Sequence, residues 1–222
     1  MWRDAALVAG KDIRVELRSR VATNQVLPFA LLVLILFAFA LDPDRGFLGQ
    51  AAPGLFWVAV LFSAVLAVQR SFAIEASDHA REGLRLSGLD PAGIFLGKAA
   101  AVAAQLGVLE AVLTAGVVVL YGAHLEGALL LLGTCLAATV GLAAAGTAYG
   151  VLAASLRVRE TLLPLLLLPV VAPVLLGATK AWEAGLAGHP AQGDPWLRLL
   201  AVFAVVYLAL GVLAFGPLLE ES

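Results

Sequence analysis

The chain has 222 residues, 62% of them hydrophobic and 14% charged, with a single cysteine and a formal net charge of −2. Soluble domains hold about 45–50% apolar residues, so this composition excludes an ordinary water-soluble protein and points to lipid as the solvent. The charge balance supplies no footprint for nucleic acid, and one cysteine excludes an internal disulfide.

Residues 2–20 carry an amphipathic pattern. Trp2, Ala6, Ala9, Ile13 and Leu17 recur at helical spacing, while Arg3, Lys11, Arg14 and Arg18 take another face. The pattern predicts an interfacial helix with its basic face toward anionic headgroups. Val26–Leu41 is the first long apolar run. A helix needs about 20 apolar residues to cross about 30 Å of hydrocarbon, and this run reaches the required length once Thr23–Leu27 is included. Its Ala38-Phe39-Ala40 imitates a signal-peptidase site, but the segment before the run is too long for an n-region and more spans follow, so no cleavage is expected.

After an outer connection, Asp42–Ala51, the second run covers Ala52–Phe72. Ala73–Gly93 is then the one sizeable inner connection. Glu75, Asp78, Arg81, Glu82 and Arg85 stand at three- and four-residue spacings, with Leu84, Leu86 and Leu89 on an apolar side. Asp90-Pro91 suits the first turn of the next helix. A short helix across the inner face is predicted, serving as a solvated connector or as a coupling helix that docks a soluble motor. In the second case Glu75, Asp78, Arg81, Glu82, Gly83, Leu84, Arg85 and Leu86 form the docking surface.

The third run, Ile94–Tyr121, holds the one charge near mid-membrane, Glu110. A carboxylate there costs about 2.5–3.5 kcal/mol on insertion scales. It is expected to face another helix or a wet cavity, or to be protonated, with Thr114 one turn later able to hydrogen-bond it. Gly93-Ile94-Phe95-Leu96-Gly97-Lys98 resembles a phosphate loop only faintly: the spacing is short, and Ala99 stands where Ser or Thr is needed. The fourth run, Ala128–Leu156, contains Cys135 and a close-packing face at Gly146 and Gly150. In the fifth, Leu162–Ala178, Pro164, Pro169 and Pro173 predict a kink or a split, with Pro169 and Pro173 at helix-packing positions. Leu197–Leu219 is the sixth. Gly122–Gly127 and Thr179–Trp196 are the remaining outer connections, and Trp57, Trp182 and Trp196 are expected as interfacial anchors.

Eleven of the fourteen Lys and Arg residues fall on the inner side if the N-terminus is cytoplasmic, which orients both termini inward. No Ser-His-Asp pattern or carboxylate pair is present, and His79, His124 and His189 lack metal-ligand spacing. The expectation is an all-α integral membrane protein, one transmembrane domain over residues 1–222. It has six transmembrane helices, an N-terminal amphipathic helix and a coupling helix between spans two and three. Any work against a gradient would draw its energy from another chain.

The sequence resembles the CcmB family of haem-exporter permease subunits in cytochrome c maturation, within the ABC-2-type exporter superfamily. The resemblance covers nearly the whole chain. It is carried by Ala52-Pro53-Gly54-Leu55-Phe56-Trp57-Val58-Ala59, by Arg70, Phe72 and Glu75, and by Glu82-Gly83-Leu84 with Leu89 to Lys98. Leu132-Gly133-Thr134, Leu168-Pro169 and Pro173-Val174-Leu175-Leu176-Gly177 complete it. It departs from the family at Gln69 and His79-Ala80. The resemblance implies a permease homodimer in the bacterial inner membrane with a separate cytoplasmic ABC ATPase that binds the ATP. It further implies a haem-handling membrane protein, a small membrane subunit and a periplasmic haem chaperone, whose haem-loaded form is released as ATP is hydrolysed. No cofactor is expected on this chain itself, because no histidine lies within a span and no Trp-rich haem motif occurs. A permease for a lipid, drug or polysaccharide, or a channel or secondary transporter using Glu110, remain the alternatives.

Overall fold

Leu-, Ala- and Val-rich runs satisfy their backbone polar groups internally as helices, the solution open to a chain surrounded by lipid. A computed structural model describes residues 1–20, 22–40, 45–77, 88–154 and 159–221. Among these, seven α-helices and no strands occur: α1 Trp2–Ser19, α2 Leu27–Ala40, α3 Arg45–Ser77, α4 Pro91–Tyr121, α5 Ala128–Ala154, α6 Arg159–Leu186 and α7 Pro190–Glu221. A turn of π-helix at Ala22–Val26 precedes α2.

Five helices are by themselves long and apolar enough to cross a membrane: Phe47–Ala73, Pro91–Tyr121, Ala128–Ala153, Leu162–Leu186 and Pro190–Leu218. The first predicted span differs. Its α-helix has 14 residues, which rise only about 21 Å against the roughly 30 Å of hydrocarbon.

Helix ends follow local chemistry. Asp90 caps α4, its side chain accepting the Ala92 amide at 3.0 Å with Pro91 at the first helical position, and Gly122 ends the helix at φ 62°. The fifth predicted span was placed too short. α6 continues to Leu186, and Pro190 already opens α7, so most of the expected connection Thr179–Trp196 is helix. The reason is tertiary: Ala181 and Trp182 are buried against the bundle. The Gly127 amide bonds the Gly185 carbonyl at 3.0 Å, and a Cβ on Gly127 would lie 2.8 Å from the Gly185 Cα. α6 also stays unbroken through Pro164, Pro169 and Pro173. The split does not occur because each proline removes one backbone bond, while contacts with α5 and α7 hold the axis.

α5 is the central helix, packing on α3, α4, α6 and α7. Its run Leu142, Ala143, Ala144 and Ala145 is 1% exposed or less, which small side chains allow at helix crossings. Expected anchors Trp57 and Trp182 are not at a lipid surface. Both are 1% exposed, with Trp182 stacked on Phe56 at 3.9 Å between centroids and Trp57 edge-on to both. Burial among aromatic faces outweighs their interfacial preference. Trp196 is half-buried.

Candidate functional site

Three helices converge at one end of the bundle: α1, the end of α3 and the start of α4. The sequence pattern divides α1 into a basic and an apolar face, but the helix has a third face, acidic, made by Asp4, Asp12 and Glu16. That face turns inward, leaving Trp2, Leu7, Leu17, Arg3, Arg14 and Arg18 exposed.

Gly93 and Gly97 make the groove that receives α1. A Cβ on Gly93 would stand 2.8 Å from the Met1 carbonyl oxygen and 2.9 Å from the Asp4 Cβ. One on Gly97 would stand 2.7 Å from the Ala5 carbonyl oxygen and 2.7 Å from the Val8 Cβ. The two glycines that suggested a faint phosphate loop thus lie in a regular helix and admit a helix backbone. Lys98 follows directly and is 1% exposed. Its ammonium donates to Ser71 Oγ at 3.1 Å and to Asp12 Oδ2 at 3.4 Å, and lies 4.8 Å from the Phe72 ring centroid. A lysine buried in this way needs a carboxylate partner and further acceptors, and Asp12 and Ser71 supply them.

One turn further along α1, Glu16 faces Arg70 of α3. Arg70 Nη2 donates to Ser19 Oγ at 3.2 Å, and its Nε lies 3.6 Å from Glu16 Oε2. At the other end of α1 the terminal ammonium is 3.1 Å from Asp4 and 3.4 Å from Asp90, and the Asp90 amide donates to Asp4 at 3.3 Å. The hydrogen bond from that ammonium holds the Asp4 carboxyl below its ordinary pKa. α1 therefore straps the end of α3 to the start of α4. In the positive-inside pattern Lys98 and Arg70 read only as basic charges, whereas the structure pairs them with Asp12 and Glu16. The available signal was Asp12 and Glu16 at i, i+4 on a helix facing a lysine inside an apolar run.

Of the expected docking residues, Asp78, Arg81, Glu82, Gly83, Leu84, Arg85 and Leu86 lie outside the described residues, and Glu75 falls in the last turn of α3. Gly146 and Gly150 pack within the chain: a Cβ on Gly146 would lie 2.7 Å from Val68 Cγ2, and Gly150 lies against Phe72 and Val68. Pro169 and Pro173 differ from expectation. They occupy the exposed side of α6, while its buried stripe runs through Leu167, Val171 and Val174.

Glu110 is 4% exposed and accepts a hydrogen bond from the Thr139 hydroxyl on α5. The expected Thr114 contact is different in kind: its hydroxyl donates to the Glu110 backbone carbonyl at 2.7 Å, the usual i−4 bond of a helical threonine. Cys135 stands between the Glu110 carboxyl and Trp182. A carboxyl bonded to a neighbouring hydroxyl tolerates an amide in its place but not a cation. Glu110→Gln should therefore assemble with unchanged thermal unfolding, whereas Glu110→Lys should fail to give monodisperse protein in size-exclusion chromatography. Equal recovery of both variants would remove Glu110 from this helix contact.

At the opposite end of the bundle a cleft of about 910 Å³ opens among α2, α3, the α4–α5 turn and the end of α6, lined by Phe39, Gln50, Tyr121, His124, Glu126 and Glu183. The Tyr121 hydroxyl donates to the Leu34 carbonyl at 3.0 Å. Glu110 is not among the residues lining this cleft.

Together the spans, the buried aromatic cluster and the strapped end of the bundle define a multi-pass α-helical membrane protein. The family described as CcmB protein matches residues 4–222, and the chain belongs to that family. Heme exporter protein B of Paracoccus denitrificans (strain Pd 1222) is 32% identical over 213 residues, covering 93% of each chain. Proteins of the same name from Bradyrhizobium diazoefficiens and Haemophilus influenzae are each 29% identical, covering 96% of this chain and 95% of theirs.

Proposed function

We propose that this chain is the non-catalytic membrane permease subunit of a haem exporter serving cytochrome c maturation, driven by a separate ABC ATPase. The observation that carries the reading is the family match over residues 4–222, with near full-length similarity to proteins named Heme exporter protein B. In this reading α2 and its preceding π turn cross the bilayer as a sixth span, and both termini lie on the cytoplasmic side of the inner membrane. Two copies pair with ATPase subunits, and a haem-handling membrane protein, a small membrane subunit and a periplasmic haem chaperone complete the assembly. ATP is bound by the ATPase and haem is handled by the complex, with no cofactor resident in this chain. A permease for another cargo finds less support, and so does a channel through Glu110, whose carboxyl is bonded within a helix contact.

The strap supports a role for Glu75–Leu86 as the coupling element, because an ATPase moves a permease only by pushing on something rigid at the membrane surface. Force applied between α3 and α4 would meet two helix ends tied through α1 to one another. Leu84 and Leu86 would supply apolar anchors, and the charges would set orientation. Glu82→Arg with Leu86→Ala should abolish co-purification of the ATPase while membrane insertion stays normal. Equal ATPase recovery at matched expression, with haem export intact, would reduce the segment to a connector.

A further inference from the structure

A second site lies beside the strap, and nothing above assigns it. Val26 of the π turn, Leu27 at the start of α2, Ser63, Ala67 and Arg70 on α3, and Gln105, Leu106, Val108 and Leu109 on α4 wall a crevice, with Glu16 at its charged end. From Ser63 to Arg70 the crevice runs about 10 Å along the helix axis. Its far end is apolar and open sideways, since neighbouring Val108 is 65% exposed on a membrane-spanning helix. Its near end holds a guanidinium whose Nε is buried with no hydrogen-bond acceptor, the Glu16 carboxylate at 3.6 Å being beyond bonding distance. Arginine offers five donors, and Ser19 takes one of them. The Ser63 hydroxyl is already committed to the Ala59 carbonyl at 2.8 Å, so the deep part presents no free hydroxyl of its own.

We propose that this crevice binds one membrane phospholipid, with an acyl chain between α2, α3 and α4 and its phosphate on Arg70. The polarity runs the way a lipid does, apolar toward mid-membrane and cationic toward the end where α1 lies. A water-sized group needs about 10–15 Å³, so the volume of about 60 Å³ holds a short stretch of an acyl chain. The π turn ends at Val26, one wall of the crevice, and widens the backbone there. The bound lipid fills the space beside α2 and sets its phosphate against the accessible part of the guanidinium, the Arg70 side chain being 31% exposed. This inference is independent of the haem-export reading, because it concerns the permease chain alone.

The experiment is native mass spectrometry of the purified chain, relipidated with phosphatidylglycerol or with a diacylglycerol of the same acyl chains. Wild type should retain one phosphatidylglycerol per chain and release the diacylglycerol. Arg70→Gln should lower retention about tenfold, the loss expected for one charge-assisted hydrogen bond. Because that change also removes the Glu16 pair, the deciding variants fill the crevice and leave the pair intact. Retention should fall in the order Ala67, Ala67→Leu, Ala67→Phe, with the thermal unfolding of delipidated protein unchanged. Undiminished binding in both filled variants overturns the proposal, and equal retention of diacylglycerol overturns the assignment of the phosphate to Arg70. Added haem that displaces the lipid, with an absorption band lost in Ala67→Phe, would replace lipid by haem as the occupant.

Discussion

Lys98→Met should destabilise the protein by about 2–3 kcal/mol. Removing one partner of a buried ion pair costs about 3–5 kcal/mol, because the other charge is left without compensation. Asp12 keeps part of its compensation, since Lys11 lies 2.9 Å from its other oxygen, and this lowers the expected loss. The double variant Lys98→Met with Asp12→Asn removes both charges and should recover much of the stability. The difference from additivity then reports the pair itself. Thermal unfolding measures the loss, and a cysteine at Val8, in a Cys135→Ser background, measures where it occurs. Val8 is 3% exposed under α1, so a maleimide should react slowly in the parent and quickly once Lys98 is gone. Loss of stability without faster labelling would mean that Lys98 supports α3 and α4 but does not hold α1.

Gly146→Leu with Gly150→Leu should prevent assembly of the bundle. The fourth predicted span meets α3 through these two positions, and Val68 and Phe72 occupy the space that side chains would need. Overpacking a core typically costs about 1–3 kcal/mol per site, and two sites on one crossing act on the same pair of helices. Phe72 also lies beneath the Lys98 ammonium, so displacing its ring disturbs the strap as well. A compensating Phe72→Ala should restore folding in Gly150→Leu if this contact carries the effect. Normal chromatography of the double-leucine variant, without compensation, would return the glycines to chance spacing.

Much of the architecture was legible because hydrophobic run length needs no partner. The third predicted span, Ile94–Tyr121, differs from α4 by one turn at its start, where Asp90 and Pro91 form a cap that can be read locally. Cys135 stands half-buried beside Glu110. The end of α6 was not legible. Thr179 to Leu186 contains Gly, Lys and Glu and reads as a connection, yet Trp182 and Gly185 are held by residues far away in sequence.

The sequence by itself determined the solvent, the helical class, the excess of basic residues on one side and the resemblance to the CcmB family. Each follows from composition, from run length or from an ordered set of local motifs. Tertiary structure alone decided which polar groups meet. Asp12 and Lys98 are 86 residues apart and Lys98 and Ser71 are 27 apart, so no local spacing announces their contact. The same holds for Glu110, whose sequence neighbour Thr114 bonds its backbone while Thr139 of another helix takes its carboxyl. In lipid a buried charge must find a partner or be lost to folding, and which partner it finds depends on how the helices pack.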